Sequence, residues 1–425
     1  MSSILIRQGR LIDPSQQLDR TANLFIENGK IVRILDEDVA ADQIVEAEGC
    51  IVSPGFIDTH VAVREPGDEE DENVASVSNA AIHGGFTTIC TLPDTQPVVD
   101  NRAAAEFIHL QSERAGYCHV IPLGAITKNN SSEELAEIGQ LVDGGVLAFT
   151  DGQKTVANSE IMRRALEYTR MFNRPIFHHP QVPELVESGV MHEGFYSMKL
   201  GLRGIPNAAE EIMVSRDIAL VELTGGRVHE MCISTRAAVE HIREAKRAGI
   251  QISADVTPHH LALTDAEMER FDTNYKVMPP LRDQHQIDAL IEGLQDGTIE
   301  AITTDHQPHA EEKKNVEVDQ APFGIVGLET ALGLCIKTLI DPGHLTWLQL
   351  IEKLSTGPAR ILNLEQKGTF REGADADVVI FSPDEVWTVD TKQFKTKSKN
   401  SPFAGWELRG KVQHVVVDGQ LRSLD

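Results

Sequence analysis

Cations are scarce in this chain. Its 39 lysines and arginines face 65 aspartates and glutamates, giving a formal net charge of −26 over 425 residues. A phosphate backbone needs a basic surface, so the balance argues against nucleic-acid binding, and any anionic ligand must meet a local cation. Cysteine is sparse too: Cys50, Cys90, Cys118, Cys232 and Cys335 are odd in number, widely spread and without a close pair. That pattern fits reduced thiols in a cytoplasm and not a disulfide framework. No run approaches the ~18 apolar residues that would span a membrane. The opening stretch "MSSILIRQGRLIDP" carries Arg7 and Arg10 in place of an apolar segment. The expectation is a soluble cytoplasmic protein with no membrane contact. With 41% hydrophobic and 24% charged residues, the rest is ordinary globular composition.

The two ends are alike in kind. Residues 4–35 hold the β-rich runs "ILIRQGRLID" and "ANLFIENGKIVRIL" with a turn near Asn28-Gly29, and residues 377–422 hold "DVVIFSP" and "VQHVVVDGQL" with a turn at Asp418-Gly419. One composite β-sandwich from 1–53 plus 366–425 is the economical reading. Between them, apolar runs at 55–60, 85–92, 118–126, 144–150, 174–178, 225–232, 249–256 and 298–304 alternate with helix-sized intervals. In "TRAAVEHIREAKRAG", Thr235 is placed to cap a helix, Val239, Ile242 and Ala245 recur at near-helical spacing, and Gly249 ends it. Eight such units predict an α/β fold, a (β/α)8 TIM barrel over 54–365. An open doubly wound sheet is the alternative on pattern alone.

A barrel places its chemistry just after the strands. His60 closes the first strand, Asp94 follows the second, Asp151 the fourth and His178 the fifth; Cys232 ends the sixth and Asp305 follows the eighth. Imidazole, thiolate and carboxylate together suit zinc, with Asp305 the candidate general base beside a metal-activated water. Singly, each has a plainer role: a hydrogen-bonded histidine, a turn acid, a small buried thiol. Arg64 could pin a substrate carboxylate, or pair with Glu65, Asp68 or Glu69. His309 is either a substrate contact or an exposed histidine. The adjacent histidines of "TPHHL" point opposite ways in an extended segment. The acidic stretch "EPGDEEDEN" reads as a solvated, mobile lid or a partner surface.

The segments "VSPGFIDTHV", "REPG", "TPHHL", "PPLRD", "TDHQPHAEEK", "APFGIVGLETALGL", "LSTGPARIL" and "KGTFREGADADVVIF" span nearly the whole chain. On them the sequence resembles the amidohydrolase superfamily, and within it the bacterial long-form dihydroorotases. The resemblance implies a metal-dependent barrel with a composite β-sandwich, interconverting N-carbamoyl-aspartate and dihydroorotate in pyrimidine synthesis. It also implies metal ligands at His60, Asp151, His178 and Cys232, a base at Asp305, and substrate contacts at Arg64, Asp94 and His309.

That set is incomplete. The family's His-x-His becomes His60-x-Ala62, its strand-six histidine becomes Cys232, and Asp-Asp-Gly becomes a lone Asp151. The substrate asparagine of Asn-Thr-x-Pro becomes Asp94, a negative charge where an anion should bind, and that of Asn-Pro-Pro-Leu-Arg becomes Met278. Loss of such partners costs both metal affinity and substrate discrimination. The expectation is a catalytically inactive dihydroorotase-like subunit, without a fully occupied metal site, that forms a homo-oligomer, a dimer, and serves aspartate transcarbamoylase as an assembly partner. The alternative is an active zinc-dependent cyclic amidohydrolase acting on dihydroorotate, a hydantoin or allantoin through a remodelled site.

Overall fold

The computed structural model describes residues 3–424. Two tight hairpins organise its ends. Leu18–Glu27 returns as Lys30–Leu35 through Asn28-Gly29, and Glu407–Val417 returns as Gln420–Arg422 through Asp418-Gly419. All four turn residues have positive φ, between 51° and 77°. This is the two-residue turn whose twist matches that of the flanking strands, and it selects Asn, Asp and Gly.

The two hairpins share one eight-stranded sheet. Ser3–Asp13 pairs with Leu18–Glu27 on one side and with Ile51–Pro54 on the other, and Ile51–Pro54 pairs antiparallel with Val378–Thr388. The C-terminal strands thus enter beside the segment that leads into the barrel. A cluster including Leu24, Ile26, Val52, Val378 and Ile380 fills one face of the sheet.

The barrel strands are short, parallel and buried, as strands covered on both faces must be. Phe56–Val61, Phe86–Thr91 and His119–Pro122 form one run; Ile176–His178, Val228–Glu230, Ile252–Val256 and Ala301–Ile302 form another. Bridges from Phe149 to Gly124 and Ile176 join the runs on one side, and a bridge between Val61 and His306 closes the other. Closure excludes the open doubly wound sheet.

The fourth strand is reduced to Phe149, where the sequence predicts 144–150. Gly144 and Gly145 instead turn the chain out of the helix Ile138–Asp143, Gly145 with φ +89°. The helix predicted from Thr235 spans Arg236–Arg247, and the Thr235 side chain accepts from the Ala238 amide. Its buried face is Ala238, Val239, Ile242 and Ala245. Ala248 caps it, with Gly249 at φ +81° just beyond.

Two loop expectations change. "TPHHL" is a short helix, Pro258–Ala262, because Thr257 caps it and Pro258 takes its first position. The rings of His259 and His260 therefore lie 4.5 Å apart, and His260 is used up by Thr257 Oγ1 and the Pro279 carbonyl. The acidic stretch is no free lid, since Asp71 and Glu72 are buried. Asp71 accepts from the Ala310 amide and the Lys313 ammonium, and Glu72 from Thr396 Oγ1 and the Lys397 amide. No helix among the described residues is long and apolar enough to cross a membrane.

Candidate functional site

The mouth of the barrel is organised by a carboxylate that motif reading passed over. Asp255, at the end of Ile252–Val256, is fully buried and accepts from Thr59 Oγ1 (3.0 Å), His229 Nε2 (2.8 Å) and the Cys232 amide (2.7 Å). His60 Nε2 lies 3.2 Å away. Burial opposes ionisation, but the two histidines and these bonds outweigh it and hold Asp255 far below the usual carboxylate range. Burial likewise works against a charged His60, yet Asp255, then Asp305 and Asp58, raise it to about 9. Asp255 therefore favours the protonated form of His60.

Three of the predicted residues converge. His60, Cys232 and Asp305 each offer an atom within 4.8 Å of the others. Cys232 Sγ is 3.7 Å from His60 Nε2, and Asp305 Oδ1 is 3.7 Å from His60 Nδ1, which has no hydrogen-bond partner. Burial raises Asp305 to about 7. Burial, then Asp305 and Asp255, push the Cys232 thiol well up. Arg64, Cys232 and Asp305 all hold positive φ, at 60°, 52° and 47°. Such backbone costs on the order of 1–3 kcal/mol per residue and persists only where the surroundings impose it.

The other predicted ligands are engaged elsewhere. His178 donates from Nδ1 to Asp217 Oδ2 (2.6 Å), and its Nε2 lone pair accepts the Val156 amide (3.2 Å). No lone pair remains for a metal. Asp151 receives the Ile126 and Thr127 amides on one oxygen and the Thr127 hydroxyl on the other. It ties the end of the fourth strand to the third, as a turn acid would. Ala62 is buried and offers no donor. A two-metal centre of the kind the resemblance implies does not fit this donor set.

Arg64 and His309 are also engaged internally, while Asp94 Oδ1 is buried without a partner. Arg64 reaches Asp94 Oδ2 at 2.9 Å and Gln307 Oε1 at 2.8 Å, so both arms of its fork are taken. The sequence predicts that Asp94 repels an anion; in the fold it is the counter-ion of Arg64. The proposed partners Glu65, Asp68 and Glu69 do not pair with that guanidinium among the described residues. His309 Nε2 donates to the Phe323 carbonyl (2.8 Å), and its ring is largely buried. Burial, then Arg64, lower it to about 3, which fixes it as neutral. Met278 lies under the mouth with His179, Cys232 and Arg282 around a cavity of about 10 Å³, room for roughly one water. An outer vestibule of about 500 Å³ is lined by Arg64, His309, Asp71 and Lys313.

Asp217, His229 and Asp255 were missed because each is a single polar residue inside a buried element. The one legible signal was Asp255, an acid one residue before the end of the run "GIQISADV".

The model of the amidohydrolase family matches residues 51–422. The chain is 45% identical over 421 residues to the dihydroorotase of Syntrophus aciditrophicus (strain SB), covering 98% of each chain. It is 44% identical to the dihydroorotase of Endomicrobium trichonymphae, again over 98% of each. Among solved structures it is similar to the L-hydantoinase (dihydropyrimidinase) of Arthrobacter aurescens, with a TM-score of 0.87 and 25% identity over 99% of this chain and 96% of that one. A family match over most of the length, full-length relatives and a closed barrel joined to a two-ended sheet agree: the chain belongs to the amidohydrolase family.

Proposed function

We propose that this chain is a dihydroorotase-like protein of pyrimidine synthesis in the cytoplasm whose barrel is catalytically inactive, and that it holds the catalytic chain of aspartate transcarbamoylase in a joint assembly. The observation that carries the first half is the engagement of Arg64 and His178 with the protein's own groups, together with the missing donor at position 62. Arg64 is neutralised by Asp94, His178 is capped by the Val156 amide, and Ala62 has nothing to offer. An incoming carboxylate must displace a charge-assisted bond of about 1.5–3 kcal/mol, a penalty of roughly tenfold to a hundredfold before any chemistry. The scaffold is intact around it, including three left-handed residues at the site. A fold kept while its reaction is lost suits a protein valued for its surface. The transcarbamoylase partner and the dimer rest on the family resemblance.

The experiment is to mix the purified chain with that catalytic chain and follow mass by light scattering and transcarbamoylase activity together. A defined hetero-complex with altered activity supports the reading. Two species that elute separately, with activity unchanged, overturn the partner assignment.

A second reading is favoured by one observation, the convergence of His60, Cys232 and Asp305 within 4.8 Å. One zinc held there would make a single-metal cyclic amidohydrolase. Turnover of dihydroorotate or a hydantoin with added zinc would select it.

A further inference from the structure

Two buried lysines hold one loop by its backbone. Lys276 Nζ donates to the Val318 (2.7 Å) and Asp319 (3.2 Å) carbonyls, and Lys314 Nζ to those of Pro322 (2.9 Å) and Gly324 (3.0 Å). These partners are neutral carbonyls, not carboxylates. Burying an ammonium on such terms is costly, and losing the proton relieves the cost. At Lys314 burial lowers the pKa most, the charge of Lys276 lowers it further, Asp272 opposes, and the balance falls at about 7. A neutral amine has two N–H donors and one lone pair. The two carbonyls match the two donors and leave the lone pair unoccupied.

Lys314 also lines a cavity of about 670 Å³, whose other charged groups are of both signs. Lys397 donates to the Glu69 carbonyl and Lys399 to the Phe394 and Thr396 carbonyls, while Glu329 and Glu72 act on Lys399. Lys392 and Glu311 line it as well. Glu70 lies 3.6 Å from Lys313, and Asp272 accepts the Asn274 amide. This lining selects a ligand by neither sign, so the reactive atom decides what the site does.

We propose that Lys314 is a nucleophilic amine and a site of acylation by small acyl phosphates. Its Nζ lone pair attacks the acyl carbon and the N–C bond forms. The C–O bond to phosphate breaks with its electron pair, and one amine proton leaves on the phosphate. Burial beside a second cation activates a lysine for such attack. The amide product keeps one N–H, so one of the bonds to Pro322 and Gly324 is lost. Pro322, with Val316 and Gln320, walls the outer vestibule beside Arg64, and acylation loosens that wall.

The test is to incubate the full chain with acetyl phosphate, folded and in denaturant, and follow acetylation of every lysine by peptide mass spectrometry from about pH 6.5 to 9.5. In the folded chain Lys314 is expected to react about tenfold faster than the exposed Lys392 at about pH 7.5. Its rate levels off above about pH 8, while that of Lys392 keeps rising. In denaturant the two rates converge. An unmodified Lys314, a rate no greater than that of Lys392, parallel pH profiles, or a preference that survives unfolding each overturns it.

Discussion

The guanidinium of Arg64 lies 2.9 Å from the carboxylate of Asp94, with 14% and 25% of the two side chains exposed. A group suited to hold a substrate's carboxylate already holds one of the protein's own. Replacing Asp94 with asparagine removes the internal anion and keeps a hydrogen-bonding side chain. Dihydroorotate binding, measured by titration calorimetry, is expected to strengthen by tenfold or more in Asp94→Asn. Unchanged binding would mean that Asp94 does not hold Arg64 in solution.

Restoring the missing imidazoles should restore metal only in part. Ala62→His adds one donor and Cys232→His exchanges a buried thiol for an imidazole beside His60 and Asp305. The new side chain at 62 enters a fully buried position, so a stability loss of about 1–3 kcal/mol is expected. Because His178 Nε2 accepts the Val156 amide, uptake should stop near one zinc per chain. Elemental analysis showing two would contradict the assignment of His178.

Asp255 should matter more for stability than any predicted ligand. Four groups converge on it, and it is the charged partner of His60. Asparagine removes the carboxylate that holds His60 protonated, so the imidazole reverts to its neutral form and the network loses its charge-assisted bonds, a defect of about 1.5–3 kcal/mol. Chemical denaturation of Asp255→Asn measures this; a change below about 1 kcal/mol would show that the network relaxes freely.

A pH effect is expected where barrel meets sheet. His119 Nε2 lies 3.3 Å from Asp377 and 3.4 Å from Asp418. Burial lowers its pKa, but bonds to Asp377 and then Asp418 prevail and raise it to about 9. Since the folded value exceeds the unfolded one, the contribution is complete below about pH 6.5 and fades as pH climbs through 9. Wild type should therefore lose on the order of 1–3 kcal/mol between pH 6.5 and 9.5 that His119→Gln does not lose. Parallel pH slopes in denaturant titrations of the two proteins would refute it.

The architecture was legible because it rests on repeated local signals. Alternating apolar runs gave the strands, Asn28-Gly29 and Asp418-Gly419 gave the hairpins, and Thr235 gave a helix start. The fourth strand was overdrawn because Gly144-Gly145 could equally continue a run or turn the chain. At the mouth, sequence showed which donors were lost but not what the survivors do. Whether His178 offers a lone pair depends on Val156, and whether Asp94 repels or pairs depends on the reach of Arg64. Both are three-dimensional facts between residues 22 and 30 positions apart. The burial of Asp71 and Glu72 was hidden for a like reason, since one partner, Thr396, stands more than 300 residues away.

The central claim, that the barrel keeps its fold without its reaction, is tested most directly by the metal content of the purified chain together with dihydroorotate hydrolysis in added zinc. The account predicts metal far below one equivalent and no turnover above background. Near-stoichiometric zinc with turnover would contradict it, and would make His60, Cys232 and Asp305 the core of a working centre.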